Sequence, residues 1–193
     1  MIIPHLGQQA VLDSQARYRI VAAGRRWGKL ELCRMIMEDH WQNGVQGQMI
    51  YIAPSYRMID SARKTIESLV DTGMFLYTAT PDVEFEEEQS VDLMIIDEPA
   101  LIGPELWKKL YPLIMERGKL LAVGTPLLNL AQRNKPDLLK LLWNLSLPSL
   151  QRWQFPTDQN PAVSKDELAA MKSTTKEIYY RSEFLAEFIT SES

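Results

Sequence analysis

Cysteine and histidine are scarce in this 193-residue sequence, which has one cysteine, Cys33, and two histidines, His5 and His40. A single cysteine excludes an internal disulfide framework and fits a reducing compartment. The two histidines fall on separate predicted elements, so with one cysteine they make no zinc constellation. Because Cys33 lies in an apolar helical pattern, we interpret it as a buried structural thiol and not as a reactive one.

Long apolar runs and an excess of basic residues are also lacking. No stretch approaches the ~20 apolar residues of a membrane span, and the amino terminus lacks the basic start and apolar run of a signal peptide. The formal net charge is −4, from 21 basic and 25 acidic residues. A surface that coats itself with nucleic acid is therefore not predicted, and a DNA contact would be local or shared by several copies around a ring. No Gly-x-Ser-x-Gly segment is present, so a hydrolase triad has little support.

The composition is that of a globular α/β domain. Apolar residues make up 46% of the chain and charged residues 24%, and we expect residues 1–193 to form a single domain. Apolar runs alternate with helical patterns, which predicts a mainly parallel central sheet with helices on both faces. Strands are predicted at 18–23, 48–53, 92–97 and 119–124, with an edge strand at 151–155, and helices at 30–41, 58–70 and 137–143.

Two later segments carry the Ser/Thr-x-x-Glu pattern of a capping box. The segments 164–167 and 174–177 each predict the start of a helix, and the last helix is expected to reach about Phe188. Residues 71–90 have no readable pattern, and their acidic run, 84–88, is expected to form a solvated edge or hairpin instead of a metal site. Pro104 suits the first turn of a helix.

A glycine-containing segment joins the first predicted strand to the first long helix. It reads Ala23-Gly-Arg-Arg-Trp-Gly-Lys29. A phosphate-binding loop needs glycine where the backbone turns sharply, inward-pointing amides and a lysine for the terminal phosphates, and the following helix offers its amino terminus to the anion. The segment departs from the usual pattern at two positions. Ala23 stands where the first glycine is expected, and Leu30 replaces the Ser or Thr whose hydroxyl coordinates Mg²⁺.

Two acids, Asp97 and Glu98, end a strongly apolar strand. Ligands bind at the carboxyl ends of parallel strands, so both acids are expected beside the phosphate-binding loop. Asp97 would hold Mg²⁺ directly or through water, and Glu98 would orient and deprotonate an attacking water. The alternative is a pair of solvated acids that cap the helix near Pro104. Thr125, at the end of the next strand, is a candidate γ-phosphate sensor, although Gly-Thr-Pro is more often only a turn.

Taken in order, these motifs resemble the ATPase domain of phage terminase large subunits, the motors that package viral DNA. The Gly-Arg-Arg-x-Gly-Lys loop of that family is matched by residues 24–29, and its adenine-contacting His-Pro-Gly-Gln-like segment is similar to residues 5–8. Other similar segments are the second strand at 51–56, the Walker B acids at 97–98, the coupling motif at 125–126, and the closing segments at 155–161 and 184–188.

The resemblance implies a P-loop NTPase of the additional-strand type that uses ATP and Mg²⁺. It implies a base contact by Gln8 and β/γ-phosphate contacts by Lys29, while Arg25 and Arg26 could either stabilise phosphate charge or form surface ion pairs. The full set of implied site residues comprises nucleotide contacts by Gln8, Gly24, Arg25, Trp27, Gly28, Lys29, Leu30 and Thr125, a metal contact by Asp97, and catalytic roles for Glu98, Lys29 and Arg26.

The implied partners are those of a packaging motor. They are double-stranded DNA, a portal protein and a small terminase subunit, with copies of the chain assembled as a ring in the host cytoplasm and a monomer possible in isolation. No membrane contact and no nuclease domain are expected. Leu30 leaves a second interpretation open, a P-loop scaffold that binds nucleotide without turning it over. A helicase-like ATPase is a third, but it would normally bring a second motor domain, which we do not expect in 193 residues.

Overall fold

A six-stranded sheet organises the described part of the chain. The structure is a computed structural model that describes residues 3–43, 48–65, 75–80, 83–85, 90–127 and 136–189. The strands are β1 Tyr18–Ala23, β2 Met49–Ala53, β3 Phe75–Thr78, β4 Leu93–Asp97, β5 Lys119–Gly124 and β6 Leu150–Phe155. They lie in the order β3-β2-β4-β5-β1-β6, and every neighbouring pair is parallel.

The position of β5 defines the type of fold. It lies between β1, which leads into the glycine-containing segment, and β4, which ends at Asp97. This inserted strand is the feature that we predicted from the additional-strand resemblance, and the α/β fold class with a parallel sheet is confirmed. β6 pairs only with β1 among the described strands, so its predicted place at an edge is confirmed as well.

Helices cover both faces of the sheet. Two helices bury Leu32, Cys33 and Ile59 on one face, and two others bury Leu110 and Leu139 on the opposite face. Cys33 has no exposed surface, as the sequence predicts. No described helix is both long enough and apolar enough to cross a bilayer. The helices are α1 Leu6–Leu12, α2 Lys29–Gln42, α3 Tyr56–Thr65, α4 Trp107–Ile114, α5 Leu138–Asn144, α6 Lys165–Thr174 and α7 Glu177–Glu183.

In the part of the chain that precedes β4, the structure differs from the prediction in two segments. α3 begins at Tyr56, two residues before the predicted start, and residues 66–70 of its predicted length lie outside the described residues. The unreadable segment contains β3, whose four half-exposed residues form too short a run to predict a strand. Most of the acidic run, 86–88, also lies outside the described residues. Pro104 opens a short 3₁₀ turn that continues directly into α4.

The predicted capping boxes have opposite outcomes. Ser164 caps α6 and accepts from the amide of Glu167, as predicted. The predicted helix start at Thr174 is wrong, because Thr174 ends α6 and its hydroxyl donates to the carbonyl of Ala170 at 2.8 Å. The last helix ends at Glu183 and does not reach Phe188. Its final carbonyls are used elsewhere, since the Glu183 oxygen accepts from the amide of Arg25 at 2.7 Å.

Candidate nucleotide-binding site

Three neighbouring strands end side by side at the carboxyl end of the sheet. Because β1, β5 and β4 are adjacent and parallel, Ala23, Gly124 and Asp97 lie side by side at their carboxyl ends. The loop 24–28 leaves β1 at this end and returns the chain into α2. The resulting cleft has a volume of about 430 Å³ and is lined by Arg26, Gly28, Lys29, Leu30, Glu31, Met58, Thr65, Asp97 and Glu98.

The loop closes with a left-handed residue just before α2. Gly28 has φ 102°, a backbone conformation that only glycine adopts readily. A Cβ at this position would also lie 2.8 Å from Nε2 of Gln8. Lys29 is the first residue of α2, so the turn delivers the lysine and the free amides of the helix start to the same cleft.

Side chains outside the cleft hold four consecutive carbonyl groups of the loop. The carbonyls of residues 25 and 26 accept from the Thr157 hydroxyl at 2.8 Å and the Asn160 amide at 2.6 Å. Those of residues 27 and 28 accept from Nε2 of His5 at 2.9 Å and Nε2 of Gln8 at 3.0 Å. The amides of Gly24, Arg25 and Trp27 also donate to backbone carbonyls, so a phosphate would meet the remaining loop amides and those at the start of α2.

Lys29 lies at the centre of a polar cluster. Its ammonium group donates to Oγ1 of Thr125 at 2.8 Å and to the carbonyl of Gly24 at 3.3 Å. It also lies 3.3 Å from Oε1 of Glu98, and the second carboxylate oxygen of Glu98 accepts from the amide of Thr125 at 2.9 Å. Thr125 in turn donates its hydroxyl to the carbonyl of Ala23 at 3.0 Å. The three strand ends are thus joined through one lysine and one threonine.

Asp97 is the most buried acid of the site. Its exposed fraction is 8%, and the hydroxyl of Tyr51 donates to its Oδ2 at 2.6 Å. Burial raises the pKa of Asp97 to about 6, and the hydrogen bond from Tyr51 opposes part of that rise. A desolvated carboxylate gains from a cation, so the environment of Asp97 fits a metal ligand.

The donor set also fits Mg²⁺. The described residues contain no group of three or more His, Cys, Asp or Glu side chains that could hold a metal alone. Mg²⁺ commonly uses one or two carboxylates and completes its shell with phosphates and water. Leu30 lines the cleft but offers no oxygen. Glu31 lines it too, yet its carboxylate is already paired with the guanidinium of Arg34.

The two loop arginines turn away from the lysine cluster in this structure. Nε of Arg25 lies 3.1 Å from Glu183, and Nη1 of Arg26 lies 2.6 Å from Glu167. Both arginine side chains are more than half exposed, at 55% and 53%. Arg26 has φ 63° and lines the cleft, so of the two it is the one placed at the cavity.

The indole of Trp27 is part of the core and does not line the cleft. Its side chain has no exposed surface, stacks on Phe155 with ring centroids 5.0 Å apart, and meets the edge of His5 at 4.7 Å. Gln8 is also buried, at 4% exposure, and packs beneath the loop. A nucleotide contact by residue 27 is therefore restricted to its backbone.

Solved structures share this fold over nearly the whole chain. The large terminase ATPase domain of Thermus phage P74-26 has a TM-score of 0.74 and 19% identity over 97% of this chain and 94% of that one. The large terminase of a thermophilic bacteriophage in complex with ADP has a TM-score of 0.77 and 15% identity. The chain has the fold of a phage large terminase ATPase domain. No family model and no curated protein matches the sequence.

The chain corresponds to only part of the larger terminases. The structural match includes 96% of this chain but only 54% of the ADP-bound terminase chain. The HK97 bacteriophage large terminase is similar in the same way, with a TM-score of 0.67, 17% identity, and 51% of that chain covered. The chain therefore spans about half the length of these two large terminases.

Three residues at the site escape the motif-based predictions. Tyr51 contacts Asp97, while Thr157 and Asn160 hold loop carbonyls. Tyr51 lies within a segment similar to the family's second strand, and the other two lie within a closing segment, but neither likeness indicates a role. A polar group in a strand that is otherwise wholly apolar is the one signal that marks Tyr51.

Proposed function

We propose that this chain binds ATP with Mg²⁺ and hydrolyses it as the ATPase domain of a phage DNA-packaging terminase large subunit. The observation that carries the proposal is the convergence of Lys29, Asp97, Glu98 and Thr125 beside a glycine loop that is held by side chains outside the cleft. The fold supports it, because it is shared with a large terminase ATPase domain and with large terminases solved in complex with ADP and ATP-γ-S.

The phosphates would lie against the loop and the start of α2. Backbone amides and the positive end of the helix attract anions, and Lys29 is placed to meet the terminal phosphates. Lys29 now contacts Glu98 at 3.3 Å. A phosphate would compete for the same ammonium group, so binding would release the Glu98 carboxylate from this pair.

Glu98 is the proposed general base. Once released from Lys29, its carboxylate can accept a proton from a water molecule at the open side of the cleft. Asp97 would hold Mg²⁺, which supplies neutralisation of the phosphate charge when bound. Arg26 is placed to add positive charge if it leaves Glu167, a contact at an exposed surface that costs little to break.

Thr125 is the proposed link between hydrolysis and movement. It contacts Lys29 through its hydroxyl and Glu98 through its amide, so loss of the terminal phosphate would change both contacts. The movement would act on double-stranded DNA, with several copies of the chain in a ring on a portal protein and with a small terminase subunit. The negative net charge of −4 favours local DNA contacts over a uniformly basic surface.

The test is Mg²⁺-dependent ATP turnover of the purified chain, with and without double-stranded DNA. Glu98→Gln is expected to lower turnover by about 10²–10⁴-fold while nucleotide still binds, because a general base contributes that much. Glu116→Gln is the matched control. Glu116 is an exposed acid that precedes β5, so it lies at the amino end of the sheet, away from the cleft. Unchanged turnover in Glu98→Gln would refute the proposal.

Leu30 motivates a second arm of the same experiment. Leu30→Thr restores the hydroxyl that P-loop enzymes use for Mg²⁺, so its turnover should equal or exceed that of the parent. A silent parent with an active Leu30→Thr would identify a motor domain disabled at one position. If nucleotide binds to both proteins and neither turns over in an assembled ring, the chain is a nucleotide-binding scaffold.

A further inference from the structure

Tyr51 is a buried polar residue that the steps above do not use. Its side chain has no exposed surface and belongs to the apolar cluster that contains Leu32 and Cys33 of α2. β2 pairs with β4 so that Tyr51 lies opposite Ile95, two residues before Asp97. A phenol hydroxyl in such surroundings needs a hydrogen-bond partner, because an unpaired buried hydroxyl is costly.

The partner is the carboxylate at the end of β4. The Tyr51 hydroxyl donates to Oδ2 of Asp97 at 2.6 Å, a distance typical of a hydroxyl bound to a charged carboxylate. Burial, together with the nearby Cys33 thiol and the acids, raises the pKa of Tyr51 far above its ordinary value. The geometry makes the Tyr51 hydroxyl the donor, because an ionised carboxylate only accepts.

We infer that Tyr51 is a positioning residue for the metal ion, holding the Asp97 carboxylate in the orientation in which it binds Mg²⁺. The inference rests on the proposed function, since it assigns Tyr51 to the same site. Tyr51 acts through Asp97 and touches neither the nucleotide nor the reacting atoms.

Two features make the orientation of Asp97 important in this chain. Leu30 lines the cleft without an oxygen, so Asp97 carries the metal contact that P-loop enzymes usually share with a Ser or Thr. The terminal torsion of an aspartate is broad, so an unsupported carboxylate samples many orientations. A donor on a rigid ring, packed on all sides, restricts that rotation more strongly than a flexible side chain would.

The test compares Tyr51→Phe with the parent by titrating Mg²⁺ into the protein with a fluorescent ADP analogue. Loss of a group that orients a metal ligand typically weakens metal affinity about 10–100-fold, so the half-saturating Mg²⁺ should rise by at least about 10-fold. Affinity for the analogue in EDTA should not change, because the phosphate loop is intact. The titration is repeated at pH 7.5 and pH 8.5, because the pKa of Asp97 is raised to about 6 by burial and loss of the Tyr51 hydrogen bond would raise it further.

Tyr18→Phe is the matched control. Tyr18 is a second buried tyrosine, 3% exposed, and it packs in the cluster on the opposite face of the sheet. This variant should keep the Mg²⁺ requirement of the parent. Asp97→Asn gives an independent check, because Tyr51→Phe should add nothing further to the Mg²⁺ requirement once Asp97 is changed.

The possible results distinguish orientation of the metal ligand from packing alone and from failure of the proposed function. An unchanged Mg²⁺ requirement in Tyr51→Phe overturns the inference. A loss of thermal stability with equal losses of affinity in EDTA and in Mg²⁺ also overturns it, because that pattern means packing alone. The inference is also overturned if Tyr51→Phe raises the half-saturating Mg²⁺ further in the Asp97→Asn background. A parent that binds no nucleotide at any Mg²⁺ concentration refutes the proposed function instead, and the parent alone reveals that failure.

Discussion

Replacement of Trp27 separates a structural role in the phosphate loop from a role in nucleotide contact. The indole is fully buried and stacks on Phe155 at 5.0 Å between ring centroids. Truncation of such a side chain to alanine costs about 3–5 kcal/mol of unfolding free energy, through lost burial and the cavity left behind. At about 2–4 °C per kcal/mol for a chain of this size, the melting temperature of Trp27→Ala should fall by about 6–20 °C.

Trp27→Phe distinguishes the two roles, because a phenyl ring can still stack on Phe155. The indole N–H has no hydrogen-bond partner among the described residues, so its removal leaves no acceptor unpaired. We expect a loss of about 1–2 kcal/mol from the smaller ring. Nucleotide affinity should be unchanged, since the indole does not line the cleft.

The assay is urea unfolding followed by tryptophan fluorescence and circular dichroism, with nucleotide titration of each folded variant. Trp41→Ala is the control, because Trp41 on α2 is 37% exposed and should cost less than about 1 kcal/mol. The reasoning is refuted if Trp27→Phe keeps its stability and loses most of its nucleotide affinity, since that result would place the indole against the ligand.

Two further predictions concern Asp97 and Gly24. The pKa of Asp97 is about 6 in the folded protein against an ordinary 3.8, so the folded state holds a proton that the unfolded chain releases, and stability should fall as pH rises between about 4 and 6. Asp97→Asn should lack that slope in urea unfolding with EDTA at pH 4.5 and 7, and equal slopes in both proteins would contradict the burial argument. A Cβ at Gly24 would lie 2.4 Å from Oγ1 of Thr157 and 2.5 Å from the carbonyl oxygen of Phe184. Gly24→Ala should therefore lose about 1–3 kcal/mol through overpacking, and an unchanged urea midpoint would count against the close approach.

The four inner strands of the sheet are predictable from the sequence, because nearly all of their residues are buried. β1 and β5 agree with their predicted bounds to the residue, because each is an apolar run bounded by polar or glycine positions. β3 is not predictable in the same way, since it is a four-residue strand at the edge of the sheet and none of its residues is fully buried. Short strands of this kind depend on pairing with a neighbour, here β2, which no local pattern encodes.

The motif residues of the site can be predicted from the sequence, but the side chains that pair with them cannot. Lys29, Asp97 and Glu98 can be identified because spacing after a strand or before a helix defines their roles. The ion pairs that Arg25 and Arg26 form with acids of the last two helices cannot be identified in this way, because each joins residues far apart in sequence. The wrong helix start at Thr174 has a local cause instead, because α6 continues through Thr174 and the hydroxyl donates to the carbonyl of Ala170, four residues earlier.

The hydrogen bonds from the closing segment to the glycine loop determine when the site can form during synthesis. The loop carbonyl at residue 25 is held by Thr157, which is 132 residues further along the chain. The amide of the same residue donates to Glu183, and β1 is flanked by β5 and β6, both of which come later in the chain. A ribosome that adds roughly 5–20 residues per second must therefore complete most of this sequence before the loop is supported. Tight nucleotide binding would then mark a chain that has been translated past Glu183 and has finished folding.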